Sequence, residues 1–192
     1  MNNNHNLENN QNRQIKIFTI GHSNVSPNQI IKLLKDNHID ILVDVRSSPF
    51  SKYASQFNKS DIEAVLKKNG IDYRFAGDYL GGRPTDPTCY KNGVIPEGQA
   101  DYLHIVDYPV VMTKDFFQKG IQGIFSLSQK GLVCLMCSEE DPAQCHRHHL
   151  IGRYLSEKGV EVLHIRWDGN IIKDDQLPKL PDDSNIEQLS WI

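Results

Sequence analysis

Hydrophobic and polar positions along this chain follow two alternating patterns: short, nearly continuous apolar runs, and longer stretches with an apolar residue every three or four positions. The apolar runs predict strands, and the run at 39–45 is typical of a strand buried on both faces. Five such runs lie at residues 15–20, 39–45, 71–75, 132–137 and 160–165.

The stretches between these runs predict helices, because they combine helical spacing with recognisable start positions. Residues 26–29, with the sequence Ser-Pro-Asn-Gln, supply an N-cap, a first-turn proline and a capping-box glutamine. Ser60 and Glu63 form a second capping box, and Thr113 can cap a third helix.

A fourth helix is predicted to begin with Asp141 as its N-cap and Pro142 at its first position. Cys145, His146 and Arg147 then fall in its first turns. The alternation of strands and helices predicts an α/β fold with three layers, in which a mainly parallel sheet of about five strands carries helices on both faces.

The same patterns predict one α/β domain over residues 15–167. Residues 1–14 are rich in Asn and are expected to be a disordered tail, and residues 168–192 are expected to be a loosely packed C-terminal extension onto which Trp191 and Ile192 can dock back. Residues 77–112, rich in Gly, Pro and Tyr, form a connection longer than is usual in compact domains. This length favours a lid or binding loop, with a plain surface excursion as the alternative.

Composition narrows the classes of function. The 192 residues carry a net charge of −3, which disfavours non-specific binding to nucleic acid, although a local basic patch is compatible with it. No apolar run reaches the roughly 20 residues that span a bilayer, and residues 1–14 have no apolar signal-peptide core, so a cytoplasmic protein without membrane contact is expected. The four cysteines are therefore expected to be reduced, with no disulfide.

Unusual polar residues follow three of the predicted strands. They are Gly21-His22-Ser23, Asp44-Val45-Arg46, and the segment from Cys137 to Asp141. Ligands of open parallel sheets bind outside the carboxyl ends of the strands, so these segments predict a single site at one edge of the sheet. A glycine before His22 allows a close backbone approach there.

Two arginines are candidates for binding an anion at this edge. Arg46 lies on the same face of its strand as Asp44, which either serves the site or ties down a neighbouring loop as scaffolding. Arg147 lies on the inner face of the predicted fourth helix at its N-terminal end, where an anion is favoured. The alternative for Arg147 is an internal ion pair with Glu139, Glu140 or Asp44.

The cysteines admit four interpretations. A redox dithiol of Cys134 and Cys137 is disfavoured, because positions i and i+3 of a strand face opposite ways. A metal site could use Cys137, Cys145 and His146, with His22 as an additional candidate ligand, but no second paired knuckle follows, so no tetrahedral structural zinc is expected.

The third interpretation is a nucleophilic cysteine. Three acidic residues follow Cys137 and would raise the pKa of its thiol, whereas Cys145 lies beside His146 and Arg147 and would ionise more readily. The fourth is that these are packed, unreactive thiols. Cys89 in the long connection carries no indication of a role.

Taken together, these motifs resemble those of a bacterial and archaeal family called domain of unknown function 488, over residues 16–165. The resemblance implies a compact α/β domain with the motif residues as the site, and it implies no particular reaction. Ser138 stands where many members have a smaller residue such as Ala. The motifs are Thr19-Ile20-Gly21-His22-Ser23, Asp44-Val45-Arg46 with Pro49 and Ser51, Leu80-Gly81-Gly82-Arg83, Leu135-Met136-Cys137 with Glu139, and Cys145-His146-Arg147.

A looser resemblance, to rhodanese-type sulfurtransferases, rests on Asp44-Val45-Arg46 and on a cysteine at the end of a later strand. Those enzymes cradle an anion in a compact loop after the cysteine. Here that loop holds three acids and a proline and no glycine, so the resemblance fails at the chemistry.

We therefore expect an enzyme that acts on an anionic or polar small molecule, such as a nucleotide or a nucleic-acid component. The alternative is a non-catalytic regulatory module that binds a ligand or a metal, and a binder of double-stranded nucleic acid is disfavoured by the net charge. The sequence identifies no cofactor, no oligomeric state and no protein partner. The expected catalytic residues are Glu139 as acid/base with Cys145 and His146 assisting; the expected substrate-binding residues are His22, Asp44, Arg46, Arg83, Cys137 and Arg147; no metal ligand is assigned.

Overall fold

A computed structural model describes residues 14–98 and 100–180 of the chain. Within them, six strands form one sheet in the order β3-β2-β4-β1-β5-β6. The first five strands are parallel to one another and β6 is antiparallel to β5, so the predicted α/β fold with a mainly parallel sheet is confirmed. The strands are β1 (Lys16–Gly21), β2 (Ile41–Asp44), β3 (Asp72–Phe75), β4 (Val133–Cys137), β5 (Glu161–Ile165) and β6 (Ile171–Lys173).

Seven α-helices lie in the described ranges. The predicted start of α1 is present, since the Ser26 hydroxyl accepts a hydrogen bond from the Gln29 N–H. The second start is wrong by two residues, because Asn58 occupies the N-cap position and the capping box of Ser60 and Glu63 is not formed. The helices are α1 (Pro27–Asp36), α2 (Lys59–Lys68), α3 (Gly77–Leu80), α4 (Tyr102–Ile105), α5 (Tyr108–Thr113), α6 (Asp115–Ser128) and α7 (Arg153–Glu157).

The helices cover both faces of the sheet, each over its own apolar core. Helices α1 and α2 pack on the face that carries Leu42 and Cys134, and α6 and α7 pack on the face that carries Val43 and Cys137. Cys134 and Cys137 therefore point to opposite sides of β4, which excludes a dithiol between them.

The described part of the long connection, residues 77–98 and 100–112, is structured and not a plain loop. They contain α3, α4 and most of α5, together with a short 3₁₀ turn, and Leu80 and Tyr90 anchor them in the core. Helix α3 lies against α6 so closely that a side chain at Gly120 would meet the Leu80 side chain at 2.7 Å. The segment thus forms a fixed wall above the carboxyl edge of the sheet.

The predicted fourth helix starts later than expected. Pro142–Gln144 is a single 3₁₀ turn, and Cys145 after it is extended, with φ −143° and ψ 141°. A π-helical segment, Arg147–Gly152, then leads directly into α7. Cys145 is therefore not in the first turn of a helix. It is the extended residue that separates the 3₁₀ turn before it from the π-helical segment after it.

The sheet continues beyond residue 167, where the sequence predicts a loose extension. Residues 171–173 form β6, an edge strand of three residues after a turn at Gly169, and Asp174 after it is buried. The expectations for residues 1–13 and for docking of Trp191 and Ile192 fall outside the described residues. In the described ranges, every helix is too short or too polar to cross a lipid bilayer.

The strand order creates a crevice between two neighbouring strands. In the strand order, the connection after β2 runs toward the β3 edge of the sheet, and the connection after β4 runs toward the β6 edge to reach β5. Adjacent parallel strands whose connections diverge in this way open a crevice at their carboxyl ends, and this is where ligands of such sheets bind. Arg46 follows β2 and Cys137 ends β4 at this point.

Candidate functional site

A cavity of about 430 Å³ opens above this crevice. Its walls come from the residues after β2, from Gly82 and Arg83, from α4 and the start of α5, and from the residues after β4. The cavity therefore draws on segments that are far apart in the sequence. Of the residues expected at the site, those that line it are Arg46, Arg83, Cys137, Glu139, Cys145 and His146.

Asp44, which does not line the cavity, holds Arg46 at its edge. The Asp44 carboxylate is fully buried and accepts bonds from Arg46 Nε at 2.9 Å, from Arg46 Nη2 at 2.6 Å and from the Tyr73 hydroxyl at 2.9 Å. Arg46 Nη2 also donates to the Phe57 carbonyl at 2.8 Å. The pair is on one face of the strand, as predicted, and it fixes the position of a guanidinium that is only 4% exposed.

His22 supports Arg46 from beneath. Its Nε2 lies 3.0 Å from Arg46 Nη1, its Nδ1 lies 2.8 Å from the Ser23 carbonyl, and its ring stacks on Phe57 with centroids 4.2 Å apart. An arginine can only donate, so Nε2 must be the unprotonated nitrogen and the ring is neutral. Burial, together with the charge of Arg46, lowers the pKa of His22 to about 4. His22 does not line the cavity; its ring contacts Arg46, and its backbone N–H donates to the Cys137 carbonyl at 3.0 Å.

Arg147 also lies outside the cavity, contrary to the expectation that it faces an anion. It is fully buried, and its guanidinium donates to the backbone carbonyls of Glu139 and Glu140 and, at 3.2 Å, to the Thr19 hydroxyl. Two of these partners, Glu139 and Glu140, are residues proposed for an internal ion pair, but Arg147 bonds their backbone carbonyls and not their carboxylates. Arg147 therefore shapes the turn after β4.

Three side chains at the cavity wall form a thiol–imidazole cluster: Cys137, Cys145 and His146. His146 Nδ1 lies 3.7 Å from Cys137 Sγ and 3.8 Å from Cys145 Sγ. The other ring nitrogen, Nε2, lies 3.2 Å from the Val45 carbonyl. Because a carbonyl only accepts, Nε2 carries a proton, and Nδ1 is directed at the two sulfur atoms.

Glycine at position 82 is required by this packing. A Cβ there would lie 2.7 Å from His146 Cγ and 2.8 Å from His146 Nδ1. The Leu80-Gly81-Gly82-Arg83 motif thus brings bare backbone against the imidazole face.

The two thiols of the cluster differ in protonation. Burial acts to raise the pKa of Cys145, yet the bond donated by Cys137 and the charges of Arg147 and His146 lower it well below the ordinary value. The same shared bond, followed by burial, raises the pKa of Cys137 well above it. The shared hydrogen bond therefore favours ionisation of Cys145 over that of Cys137, and a thiolate here can act as a nucleophile or as a metal ligand.

Two further proton-carrying groups line the cavity. Glu139 has a solvent-exposed side chain, and its partial burial, followed by the negative charge of Cys145, raises its pKa. Tyr108 is 5% exposed, and burial with the nearby thiols raises its pKa strongly. Sequence reasoning missed Tyr108, which lies inside the long connection where no pattern distinguishes one tyrosine from another.

Arg83 is the exposed cation of the cavity. Its backbone N–H donates to the Ser47 hydroxyl at 2.9 Å, and its guanidinium lies over the Tyr102 ring, 4.5 Å from the centroid. Arg83 and Arg46 therefore bring two positive charges to one cavity, and the residues after β2 add the hydroxyls of Ser48 and Ser51.

A second group of potential metal ligands lies in the core behind the cavity: His148, His164 and Asp174. Asp174 Oδ1 lies 2.6 Å from His148 Nδ1 and 3.0 Å from His164 Nε2. His164 Nδ1 lies 2.7 Å from the Thr19 hydroxyl, which joins this group to Arg147. Sequence reasoning missed the group because Asp174 comes from the supposed extension.

Comparison with known proteins agrees with the motifs. A model of the family described as domain of unknown function DUF488 matches residues 26–154. The chain belongs to this family. The matched range holds all three residues of the thiol–imidazole cluster, both cavity arginines and Glu139, whereas β1 and His22 precede it. Neither the curated proteins nor the solved structures gave a match to the DUF488 chain.

Proposed function

We propose that this DUF488 protein is a cytoplasmic enzyme whose substrate is an anionic or polar small molecule bound in the cavity. The observation that carries the proposal is the meeting, at the walls of one open cavity, of the thiol–imidazole cluster, the carboxyl group of Glu139 and the guanidinium groups of Arg46 and Arg83. Perturbed ionisable groups that converge in a cleft at a topological switch point are typical of active sites.

Substrate binding is assigned to the cations and to the aromatic rim. Arg83 is exposed and lies over the Tyr102 ring, while Arg46 is held in place by Asp44. Phe50 lines the cavity with 67% of its surface exposed, and such a ring offers a stacking face to a flat group. A volume of about 430 Å³ suits a ligand of the size of a nucleotide or a nucleic-acid component.

Proton transfer is assigned to Glu139, with Tyr108 as a second donor. Both groups line the cavity opposite the arginines' loops, so each can reach a bound substrate. Cys145 and His146 complete the reacting centre beside them.

The binding part of the proposal is tested by thermal shift and calorimetric titration with inorganic phosphate, pyrophosphate and adenosine monophosphate. The variant Arg83→Ala should weaken binding of these probes by about tenfold or more, with little change in the melting temperature, because a charge-assisted bond is worth roughly 1.5–3 kcal/mol. Arg74→Ala is the matched control, since Arg74 is an exposed arginine of β3 outside the cavity. Equal binding by both variants would remove Arg83 from the site.

The catalytic part requires turnover, which is measured with a panel of phosphate esters, nucleotides and nucleosides by product chromatography. Glu139→Gln should abolish turnover of the accepted substrate while leaving its binding intact. A second candidate function, a ligand-binding module without catalysis, is favoured by the solvent exposure of Glu139, since acid/base sites usually exclude water. That candidate predicts tight binding of a probe and no turnover of any compound in the panel.

A further inference from the structure

We propose that Cys137, Cys145 and His146 bind one zinc ion, with a fourth coordination position open to the cavity. This inference goes beyond the proposed enzyme function, because metal binding is measured without any substrate.

The spacing of the three donor atoms matches a tetrahedral zinc site. With Zn–S bonds of about 2.3 Å and Zn–N bonds of about 2.0 Å, tetrahedral ligands place sulfur and nitrogen roughly 3.6 Å apart. The observed distances from His146 Nδ1 are 3.7 Å to Cys137 Sγ and 3.8 Å to Cys145 Sγ, and all three donors lie within 4.8 Å of one another. Both nitrogen–sulfur distances are therefore close to those of a tetrahedral zinc site.

The imidazole is already oriented as a metal ligand. Its Nε2–H is directed at the Val45 carbonyl, which leaves Nδ1 facing the sulfur atoms as the coordinating nitrogen. Metal-bound histidines characteristically donate their second ring nitrogen to a carbonyl or a carboxylate in this way. The backbone N–H of Arg147 lies 3.5 Å from Cys145 Sγ and supports the thiolate from the other side.

The charges also balance. Both cysteines bind zinc as thiolates and release their protons to solvent, so that two negative charges neutralise the two positive charges of the ion. Thiolate and imidazole ligands favour zinc among the common divalent cations of the cell, since magnesium and calcium prefer oxygen.

The number of ligands indicates an open site and not a structural one. Structural zinc is closed by four protein ligands, whereas catalytic zinc has three and leaves one position for water or substrate. In the described part of the chain, the cluster contains three ligands, and all three line the cavity. This explains why no second cysteine pair follows in the sequence.

The second group, His148, His164 and Asp174, does not qualify as the metal site by the same criteria. Its carboxylate is engaged by both imidazoles, and His148 Nε2 and His164 Nδ1 are occupied by the Pro178 carbonyl and the Thr19 hydroxyl. None of its residues lines the cavity, so it supplies no open position.

The first test is the metal content of the full chain purified without chelators, with zinc and iron measured by mass spectrometry. We expect about one zinc per chain, and an apoprotein prepared with a chelator should take up one equivalent of Co²⁺ with the intense visible absorption of a tetrahedral thiolate site. Less than a tenth of an equivalent of zinc together with no cobalt spectrum overturns the proposal, and neither measurement needs a variant that might misfold.

The second test assigns the ligands. Cys145→Ser and His146→Ala should each lower zinc affinity by more than about tenfold, as measured by competition with a chromophoric chelator. Cys89→Ala is the matched control, since Cys89 is a buried free thiol away from the cluster and should keep full metal content. Circular dichroism verifies that each variant is folded, and full metal content in a folded Cys145→Ser variant refutes this ligand set.

The third test examines the open position. Azide added to the cobalt-loaded protein should change the absorption spectrum, because it enters the vacant coordination site. A cobalt spectrum that does not respond to azide refutes the open position. A protein that binds zinc but turns over no compound of the panel would count against the proposed enzyme function alone. Failure of the zinc site and failure of the enzyme function are therefore distinguishable.

Discussion

Two Asp-x-Arg pairs on neighbouring strands give a controlled measurement of what burial does to an ion pair. Asp44 and Arg46 lie at the end of β2, with side chains 0% and 4% exposed and a closest N–O distance of 2.6 Å. Asp72 and Arg74 are in β3 with the same spacing and a distance of 2.7 Å, but their side chains are 47% and 58% exposed. The variants Asp44→Asn and Asp72→Asn therefore remove the same charge from pairs of the same spacing, although Asp44 also accepts a hydrogen bond from the Tyr73 hydroxyl.

The expected costs differ several-fold. The Asp44→Asn change would leave Arg46 charged, buried and without a counter-charge, which costs about 3–5 kcal/mol. The Asp72→Asn change breaks a solvent-screened pair worth about 0.2–1 kcal/mol. Since small domains unfold with m-values of about 1–3 kcal/mol per molar urea, the midpoint should fall by roughly 2 M for Asp44→Asn and by less than about 0.5 M for Asp72→Asn.

The assay is equilibrium unfolding in urea, followed by tryptophan fluorescence and circular dichroism at neutral pH. The m-value should be the same for wild type and both variants, so that the shift in midpoint reports stability alone. If Asp44→Asn unfolds within about 0.5 M of Asp72→Asn, the buried pair is not a stability element and Arg46 does not depend on Asp44 for its position.

Further predictions concern groups around the same edge of the sheet. The pKa of His22 is about 4 in the folded state and about 6.5 in the unfolded state, so neutral His22 favours folding. This contribution of up to roughly 3 kcal/mol is lost as the pH falls from 6.5 toward 4, and His22→Gln should flatten that loss in urea titrations. Burial acts to raise the pKa of Asp174, but its bonds to His148 and His164 hold that pKa far below its usual range. Asp174→Asn should therefore lower the free energy of unfolding by about 2–5 kcal/mol at pH 7, and the difference from wild type should close progressively below about pH 4. Gly82→Ala should displace the His146 ring and lower metal affinity by at least about tenfold, and unchanged affinity would contradict the close contact. Gly123→Ala, by contrast, places its methyl group in open space and should stabilise α6 by about 0.5–1 kcal/mol.

The sequence predicted the strand-and-helix framework because each central strand has its own apolar run and α1 has an unambiguous start. It failed where the determinants were short or distant. Strand β6 has three residues at an exposed edge, and its pattern is indistinguishable from that of a loop. The late helix start at Arg147 follows the extended conformation of Cys145, whose thiol accepts a bond from the Arg147 N–H, and the sequence pattern does not distinguish this from a continuous helix.

The candidate site was predictable in its position but not in its internal connections. Parallel-sheet topology brings the ends of β2 and β4 together, and this could be reasoned from the sequence. The side that a π-helical segment turns toward the cavity could not be reasoned in this way. The sequence therefore places Arg147 at the cavity, whereas the structure places it outside, fully buried. The closeness of Gly82 to His146 was equally hidden, since it joins residues from separate connections.

The position of β1 at the centre of the sheet has a consequence for biosynthesis. It comes before its hydrogen-bonding neighbours β4 and β5 in the chain, so Ile17 is synthesised well before Val133 and Val162, its partners in the sheet. Pairings of such long sequence separation slow folding and leave an apolar strand exposed in the meantime. The nascent DUF488 chain should therefore remain sensitive to protease and dependent on chaperones until β5 has emerged, and only then close the sheet in one cooperative step.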